Sequence, residues 1–487
     1  MRPTPQLPSA TDAKQTKLQT LQLTPATNLD DIYKTLVPAP LMTKQELDAF
    51  YREEMNEVRG GDRIGRMKRG LDRAHGVTFY KTFFMGHPGV GKSTEMTRLS
   101  FHVADKFRTI RFSAQTDLDA AGFKPFDVLL VMMIKLVEET HALDAQGNLR
   151  GELSKGLITD IERWFETEKV TRTATKSTGV SASAGIKPTP VSTALSGLLG
   201  LFAEIKGEMK YTADRKAEIT EYRLNTISTL IGLLNRLLDD ANRLLAEATG
   251  QEWLFVGEDF DKPGIKTDLV EALFISYANI FPDLKTHLVF NIPVALAYSE
   301  KVTSLTLPSP CIIFDTPVYN QDHTPNEQGR AAVEEVLKRR VDPTLFEKDQ
   351  LTRLVVASGG NLRDLFEMTA TASDYAADRA SQTIGEKDVS QAITQKRVEY
   401  VNSMGSGPYD PQPITYEQKA ERLIQIYKNE PASDVADPIL HSLLRARAVQ
   451  EFNGERWFGI HPLVVDTLIR QHRLKHEAGK NVPGGSI

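Results

Sequence analysis

Hydrophobic periodicity is missing from the first forty or so residues, where Pro, Thr, Gln and Lys dominate. The pattern there predicts a mobile arm or an extended docking segment. It starts near Thr43. From there to Leu71 apolar positions recur at helical spacing, with Thr43 and Glu46 forming a capping box and Gly60-Gly61 marking a break. Val77–Met85 is β-rich, about Gly91 to Asp105 is helical, and Arg108–Phe112 predicts a second strand. Phe126–Glu139 contains the unbroken apolar run Val128–Ile134; it predicts a buried helix, too short to span a bilayer.

The stretch from about Thr171 to Leu195 is rich in Ser, Thr, Ala and Gly. No Asp or Glu occurs from Lys169 through Ala203, while Lys169, Arg172, Lys176 and Lys187 do. It reads either as a flexible loop or as a basic element that contacts nucleic acid, an acidic partner or a neighbouring subunit. Ser196–Ala203 is a short apolar segment. A long helix is expected from about Ala213 to Ala248, because Leu224, Ile227, Ile231, Leu234, Leu238, Ala241 and Leu245 follow one another in steps of three and four. Leu230, Leu237 and Leu244 widen that stripe, which favours packing inside the domain over a coiled-coil seam. Trp253–Val256, Leu288–Ile292 and Cys311–Phe314 predict three more strands, giving a five-stranded parallel α/β sheet.

Asn326 to Tyr400 turns helical, with Gly359-Gly360 separating two helices and Asp388 opening a third. Met404–Pro413 is a hinge by its Gly and Pro density. Helices around Thr415–Lys428 and Pro438–Arg445 follow. Then Ala448–Ile460 places Asn453-Gly454 between two apolar arms, the mark of a type I′ hairpin. Helices followed by a hairpin predict a small winged-helix-like domain. The expected organisation is an arm at 1–40, an α/β core at 41–330 with a helical insertion at about 141–250, a helical lid at 331–403 and the winged-helix-like domain at 404–487.

Composition narrows this picture little: 487 residues, 40% hydrophobic and 25% charged, suit a globular protein of about three domains. The net charge of −5 supplies no global basic field, so DNA binding would need a local patch, and Arg445 with Arg447 offers only a modest one. The single cysteine, Cys311, excludes an internal disulfide framework and fits a reducing, cytoplasmic setting, where a buried structural thiol is the simpler reading. The amino terminus has no apolar signal region, and no segment approaches 18 uninterrupted apolar residues. The sequence therefore predicts neither secretion nor a membrane span.

Chemistry is concentrated in Gly86-His87-Pro88-Gly89-Val90-Gly91-Lys92-Ser93-Thr94, a complete G-x-x-x-x-G-K-[ST] loop between a strand and a helix. Glycines let successive N–H groups turn inward on phosphate oxygens, and the helix adds the positive end of its dipole. Lys92 would reach the β- and γ-phosphates of ATP, and Ser93 would hold Mg²⁺. Trp253–Asp261 is an apolar strand running into acidic residues, a candidate Walker B: Glu258 and Asp259 fill its two carboxylate slots, Asp261 lies further out, and which carboxylate binds metal and which polarises water stays open. Lys92 and Glu258 are 166 positions apart, far more than one βαβ unit needs, hence the insertion. Asn291, near a strand end, is either a sensor of the γ-phosphate or a cap on the turn at Pro293. Arg363 stands in the first turn of a helix, where the dipole disfavours a cation, so either a salt bridge or a nucleotide contact keeps it there.

With these motifs placed, the chain resembles P-loop ATPases of the AAA+/STAND type, and most of all prokaryotic members joined to a helical lid and winged helix. The likeness rests on Gly86–Thr94, Leu254–Asp261 and Ser358–Leu365, the last similar to the sensor-2 region of origin initiators and STAND ATPases. It implies that Arg363 reaches over the nucleotide and that Asn291 is sensor 1. It also implies an ATP-driven switch that assembles as a homo-oligomer or activates a protein effector, in signalling or in defence against phage. A DNA-associated loader or remodeller and a small-molecule kinase are the other classes. Gly257-Glu258 departs from the family's apolar-Asp pattern. Arg339 and Arg340 are the candidates for a trans-acting arginine finger.

Overall fold

The computed structural model describes residues 21–145, 149, 152–176, 198, 200, 202–203, 227–262, 264–298, 307, 310–405, 413–452 and 457–475. Residues 1–20, most of the basic segment after Lys176, Leu224, the centre of the Gly/Pro hinge and the Asn453-Gly454 turn lie outside these.

Helices α1 (Lys44–Phe50) and α2 (Arg63–Ala74) precede the sheet. Thr43 caps α1 by accepting from the Glu46 N–H, and the Glu46 carboxylate accepts in return from the Thr43 N–H at 2.8 Å. The helical run breaks twice: at Tyr51, whose extended backbone ends α1, and, after a short helix at Glu54–Val58, at Gly60-Gly61 as expected, where φ is 86° and 96°. Residues 21–40 are docked rather than free. Ala26 exchanges backbone hydrogen bonds with Arg340 and Asp342, and Ile32, Thr35 and Leu36 are buried.

Strand β1 (Lys81–Gly86) leads through the glycine loop into α3 (Lys92–His102). The strand begins four residues later than the β-rich run. Next come β2 (Phe107–Ser113) and helices α4 (Pro125–Ala145), α5 (Lys155–Lys176) and α6 (Ile227–Thr249). β3 (Glu252–Glu258), β4 (His287–Pro293) and the short β5 (Cys311–Ile312) complete the sheet. All pairings are parallel and the order is β2-β3-β4-β1-β5. Consequently β4, and Asn291 on it, lies between the P-loop strand and the acidic strand. The aromatic residues of β3 and β4 explain the sheet's packing. Phe290 meets Phe112, Phe260, Phe274 and Phe281 edge-on or tilted, with ring centroids 4.6–6.2 Å apart.

The leucine stripe of α6 is buried at Leu230, Leu233, Leu234, Leu237, Leu238, Leu244 and Leu245. It packs on α4 and β3, so this helix forms a layer of the sheet domain itself and not a separate subdomain.

The lid contains α7 (Glu327–Lys338), α8 (Gln350–Ala357), α9 (Leu362–Asp378) and α10 (Glu386–Ser403). Gly359 and Gly360 adopt left-handed φ values of 59° and 78°, which terminates α8 and lets Asn361 cap α9. Asp388 stands in the first turn of α10, not at its cap; its carboxylate accepts from the Gly385 N–H and pairs with Arg379. The last domain comprises α11 (Tyr416–Tyr427), α12 (Pro438–Arg445), the antiparallel pair β6 (Val449–Phe452) and β7 (Trp457–Ile460), and α13 (Pro462–Arg470). The architecture is a P-loop NTPase fold: parallel α/β sheet with the glycine loop after β1, a helical lid and a helix–hairpin domain of winged-helix kind.

Candidate nucleotide site

The P-loop is built as a cradle. Gly89 and Gly91 hold φ values of 94° and 99°, which only glycine adopts without strain, and the α3 N-terminus opens directly behind them. Gly89 also lies against the Asn361 amide, which donates to the Pro88 carbonyl at 2.9 Å and ties the lid to the loop. Lys92 is buried, donates to the Gly86 and His87 carbonyls at 2.8 and 2.9 Å, and pairs with Asp261 at 2.7 Å. Burial pulls the Lys92 ammonium down, opposed by Asp261; burial pushes the Asp261 carboxyl up, but Lys92 overrides this and holds it below the usual range.

The three acidic side chains after β3 diverge. Glu258 is buried and accepts from the Arg111 guanidinium, Nε to Oε2 at 2.7 Å, and from the Ser93 hydroxyl, while its Oε1 has no protein partner. Burial raises its carboxyl above the ordinary value, with Arg111 opposing. Asp259 takes a left-handed φ of 65°, and its carboxylate accepts from the Ser113 hydroxyl at 2.7 Å. The structure thus does not bring Asp259 to the loop lysine, and Asp261 is the carboxylate found there. Nothing in the sequence distinguishes these two aspartates, because the backbone kink at Asp259 sets their directions.

A cavity of about 140 Å³ joins Lys92, Ser93 and Asp261. Gly89–Glu95, Asp261, Asn291 and Arg363 line it, as do the α1 end and the Pro38–Leu41 segment. The Leu41 N–H donates to the Thr94 hydroxyl at 3.1 Å, fixing that segment over α3. Asn291 is 1% exposed and its Oδ1 is unpartnered, so it aims an unsatisfied acceptor into a buried polar site. Arg363 bears on Lys92 electrostatically, so lid and core cations converge. His87 faces the other way. Fully buried, it lies 3.6 Å from Asp315, and burial holds its imidazole down at about 3.

Of three arginines, the last two depart from expectation. Arg339 pairs with Glu335 on the surface. Arg340 is buried in this chain's own cavity between Phe50 and Phe366, where it cannot serve a neighbouring subunit. Arg447 is no part of a basic face: it donates to the buried Asp364 at 3.0 Å and lies over the Tyr400 ring. Cys311 is half-buried, and burial pushes its thiol up to about 11.

No protein-family model and no curated protein matches this chain. Among solved structures it is similar to Cdc6p from Pyrobaculum aerophilum, at 12% identity over 91% of this chain and 99% of that one, TM-score 0.35. It is similar also to the ORC2 protein of Aeropyrum pernix, at 12% over 87% and 99%, TM-score 0.36. The Walker-type ATPase of Pyrococcus abyssi gives 11% over 89% and 99%, TM-score 0.38. The fold assignment above stands on strand order and loop position.

Proposed function

We propose that this chain is an ATP-binding, ATP-hydrolysing switch of AAA+/STAND kind, whose nucleotide state is coupled to assembly or to activation of a protein partner. The observation that carries the reading is the convergence of Lys92, Ser93, Asn291 and Arg363, from loop, central strand and lid, on one cavity. The site suits ATP with Mg²⁺. Gly91, with open space where a side chain would stand, leaves room for phosphate, and Ser93 with Glu258 offers the one or two oxygen ligands that Mg²⁺ takes when phosphates complete its shell. Bound Mg²⁺ would supply charge neutralisation on the phosphates.

The chain's own residues do the rest. Lys92 exchanges the Asp261 carboxylate for a phosphate oxygen, which frees Asp261 to accept a proton from the attacking water; Asn291 orients that water, and Arg363 draws the lid onto the γ-phosphate. Lid movement is the output. Signalling or anti-phage defence is the proposed setting, with a separate effector.

A DNA-associated ATPase is the second reading, favoured by the helix–hairpin domain. Against it, α12 packs on Val294–Tyr298 of the core and buries His441 and Ser442, so that face is covered.

Equilibrium binding and phosphate release on two variants test the proposal. Lys92→Ala is expected to abolish ATP binding, and Asp261→Asn to keep binding while turnover falls about 100-fold, in line with loss of a general base. Unchanged affinity in Lys92→Ala would remove the nucleotide site; wild-type turnover in Asp261→Asn would remove the assigned base.

A further inference from the structure

Arg340 is an arginine that the proposed chemistry does not use. It follows α7, is 5% exposed, and places its guanidinium between the rings of Phe50 at 4.4 Å and Phe366 at 4.8 Å. Its Nη1 donates to the Val336 carbonyl at 3.2 Å. Among the described residues no carboxylate lies within ion-pair distance. Arg52 is the charge that bears on it, and burial with that like charge lowers it to about 9. Burying an unpaired cation is costly, and a fold retains one where a ligand completes it.

The guanidinium lies over the Phe50 and Phe366 rings with one donor on the Val336 carbonyl, and Arg340 lines the same cavity as the P-loop, so its other donors are available to a planar ligand there. It is not the phosphate end. Arg363 acts on Lys92 electrostatically, whereas Arg340 follows α7 and lies against Phe50 at the end of α1 and Phe366 of α9. Phe50, Val336 and Phe366 touch Arg340, and the cavity wall adds the apolar Leu41 and Met55 together with Arg52. A flat group with apolar faces and hydrogen-bond acceptors on its rim fits such a slot, and the base of a nucleoside triphosphate is that kind of group.

We propose that Arg340 reads the nucleotide base, donating to acceptor atoms on its edge and setting base selectivity. This rests on the reading of the cavity as a nucleotide site. It adds a specificity residue held in place by the docked segment at Ala26, whose N–H donates to the Arg340 carbonyl at 2.8 Å.

The test measures binding of ATP, GTP, CTP and inorganic tripolyphosphate to the full chain and to Arg340→Met, which keeps the apolar stem but no donor. ATP affinity is expected to fall about 10- to 100-fold, as for a lost hydrogen bond from a charged group. The spread among the three nucleotides should shrink, with tripolyphosphate binding unchanged within twofold. An equal loss for tripolyphosphate, or unchanged selectivity, overturns the proposal. Arg340→Lys keeps charge without the planar fork and should show the same pattern more weakly; its melting temperature checks folding if the Met variant is unstable. Tripolyphosphate that binds neither the wild type nor any variant, together with unchanged ATP affinity in Lys92→Ala, marks failure of the nucleotide site itself.

Discussion

At the scale of single residues, buried ionisable groups set how the molecule responds to pH. Asp315, at the end of the sheet beside His87, is 1% exposed, and among the described residues Gln450 is the side chain that acts on its carboxylate as a weak hydrogen-bond donor. Burial pushes it up to about 7, with Arg59 opposing. A carboxyl raised in the folded state favours folding fully below its unfolded value near 4, and that contribution is lost as pH climbs through about 7. His87, held down at about 3, stays neutral in the folded state while the unfolded chain's imidazole titrates near 6.5, so it adds stability as pH rises and partly offsets this loss, but it does so equally in wild type and in an Asp315 variant. Asp315→Asn, which cannot ionise, is therefore expected to melt a few degrees above wild type at pH 8 and nearly level with it at about pH 4, read by calorimetry at both pH values. An equal shift at both would show that ionisation of Asp315 has no part in it. Residue by residue, the glycine loop, the capping box and the acidic strand are all legible in the sequence, because each is a short pattern with a local cause. The divergence of Asp259 and Asp261 is not, since it depends on one φ angle. Nor is the sandwich of Arg340, which joins residues from α1, α7 and α9.

Elements show the same division. Strands and helices follow the hydrophobic period closely, and the broad leucine stripe of α6 correctly foretells burial. How the lid is wired to the last domain is invisible in the sequence, because its partners are 83 positions apart. Asp364, in the first turn of α9 beside Arg363, accepts from Arg447 at 3.0 Å and from the Tyr400 hydroxyl at 2.6 Å. Tyr400 stacks on His461, which bonds the Ser358 carbonyl, and Gln450 of β6 donates to the Gly359 carbonyl. The turn and helix start that carry Arg363 are thus held from behind by the helix–hairpin domain. Burial pushes the Asp364 carboxyl up, but Arg447, His461, Tyr400 and Lys396 more than reverse it. Arg447→Ala leaves that carboxylate buried with fewer partners and is expected to cost about 3 kcal/mol. The Arg447→Ala/Asp364→Asn pair should cost much less than the sum of the single changes. Denaturant unfolding of all four proteins gives the coupling; simple additivity would mean that the two side chains do not support each other.

Across the whole molecule, these contacts make lid and last domain one block that meets the core at the nucleotide cavity and through α12 on Val294–Tyr298. Closing Arg363 onto a γ-phosphate therefore has to drag the block or break its hold on the core. Either changes the exposed surface, which is why the output is expected as a change in assembly rather than as chemistry on a second substrate. Light scattering with ATP·Mg²⁺, ADP and no nucleotide should show a larger particle with ATP alone, and no such change in Lys92→Ala. Adding duplex DNA separates the two functional readings. Net charge −5, an Arg447 consumed internally and a covered α12 all predict that DNA leaves the ATP-dependent mass unchanged at about 150 mM salt, where nonspecific phosphate contacts are already weakened. An assembly that forms only with both ATP and DNA would instead require α12 to come off the core, and would make the covered face a nucleic-acid surface exposed by nucleotide.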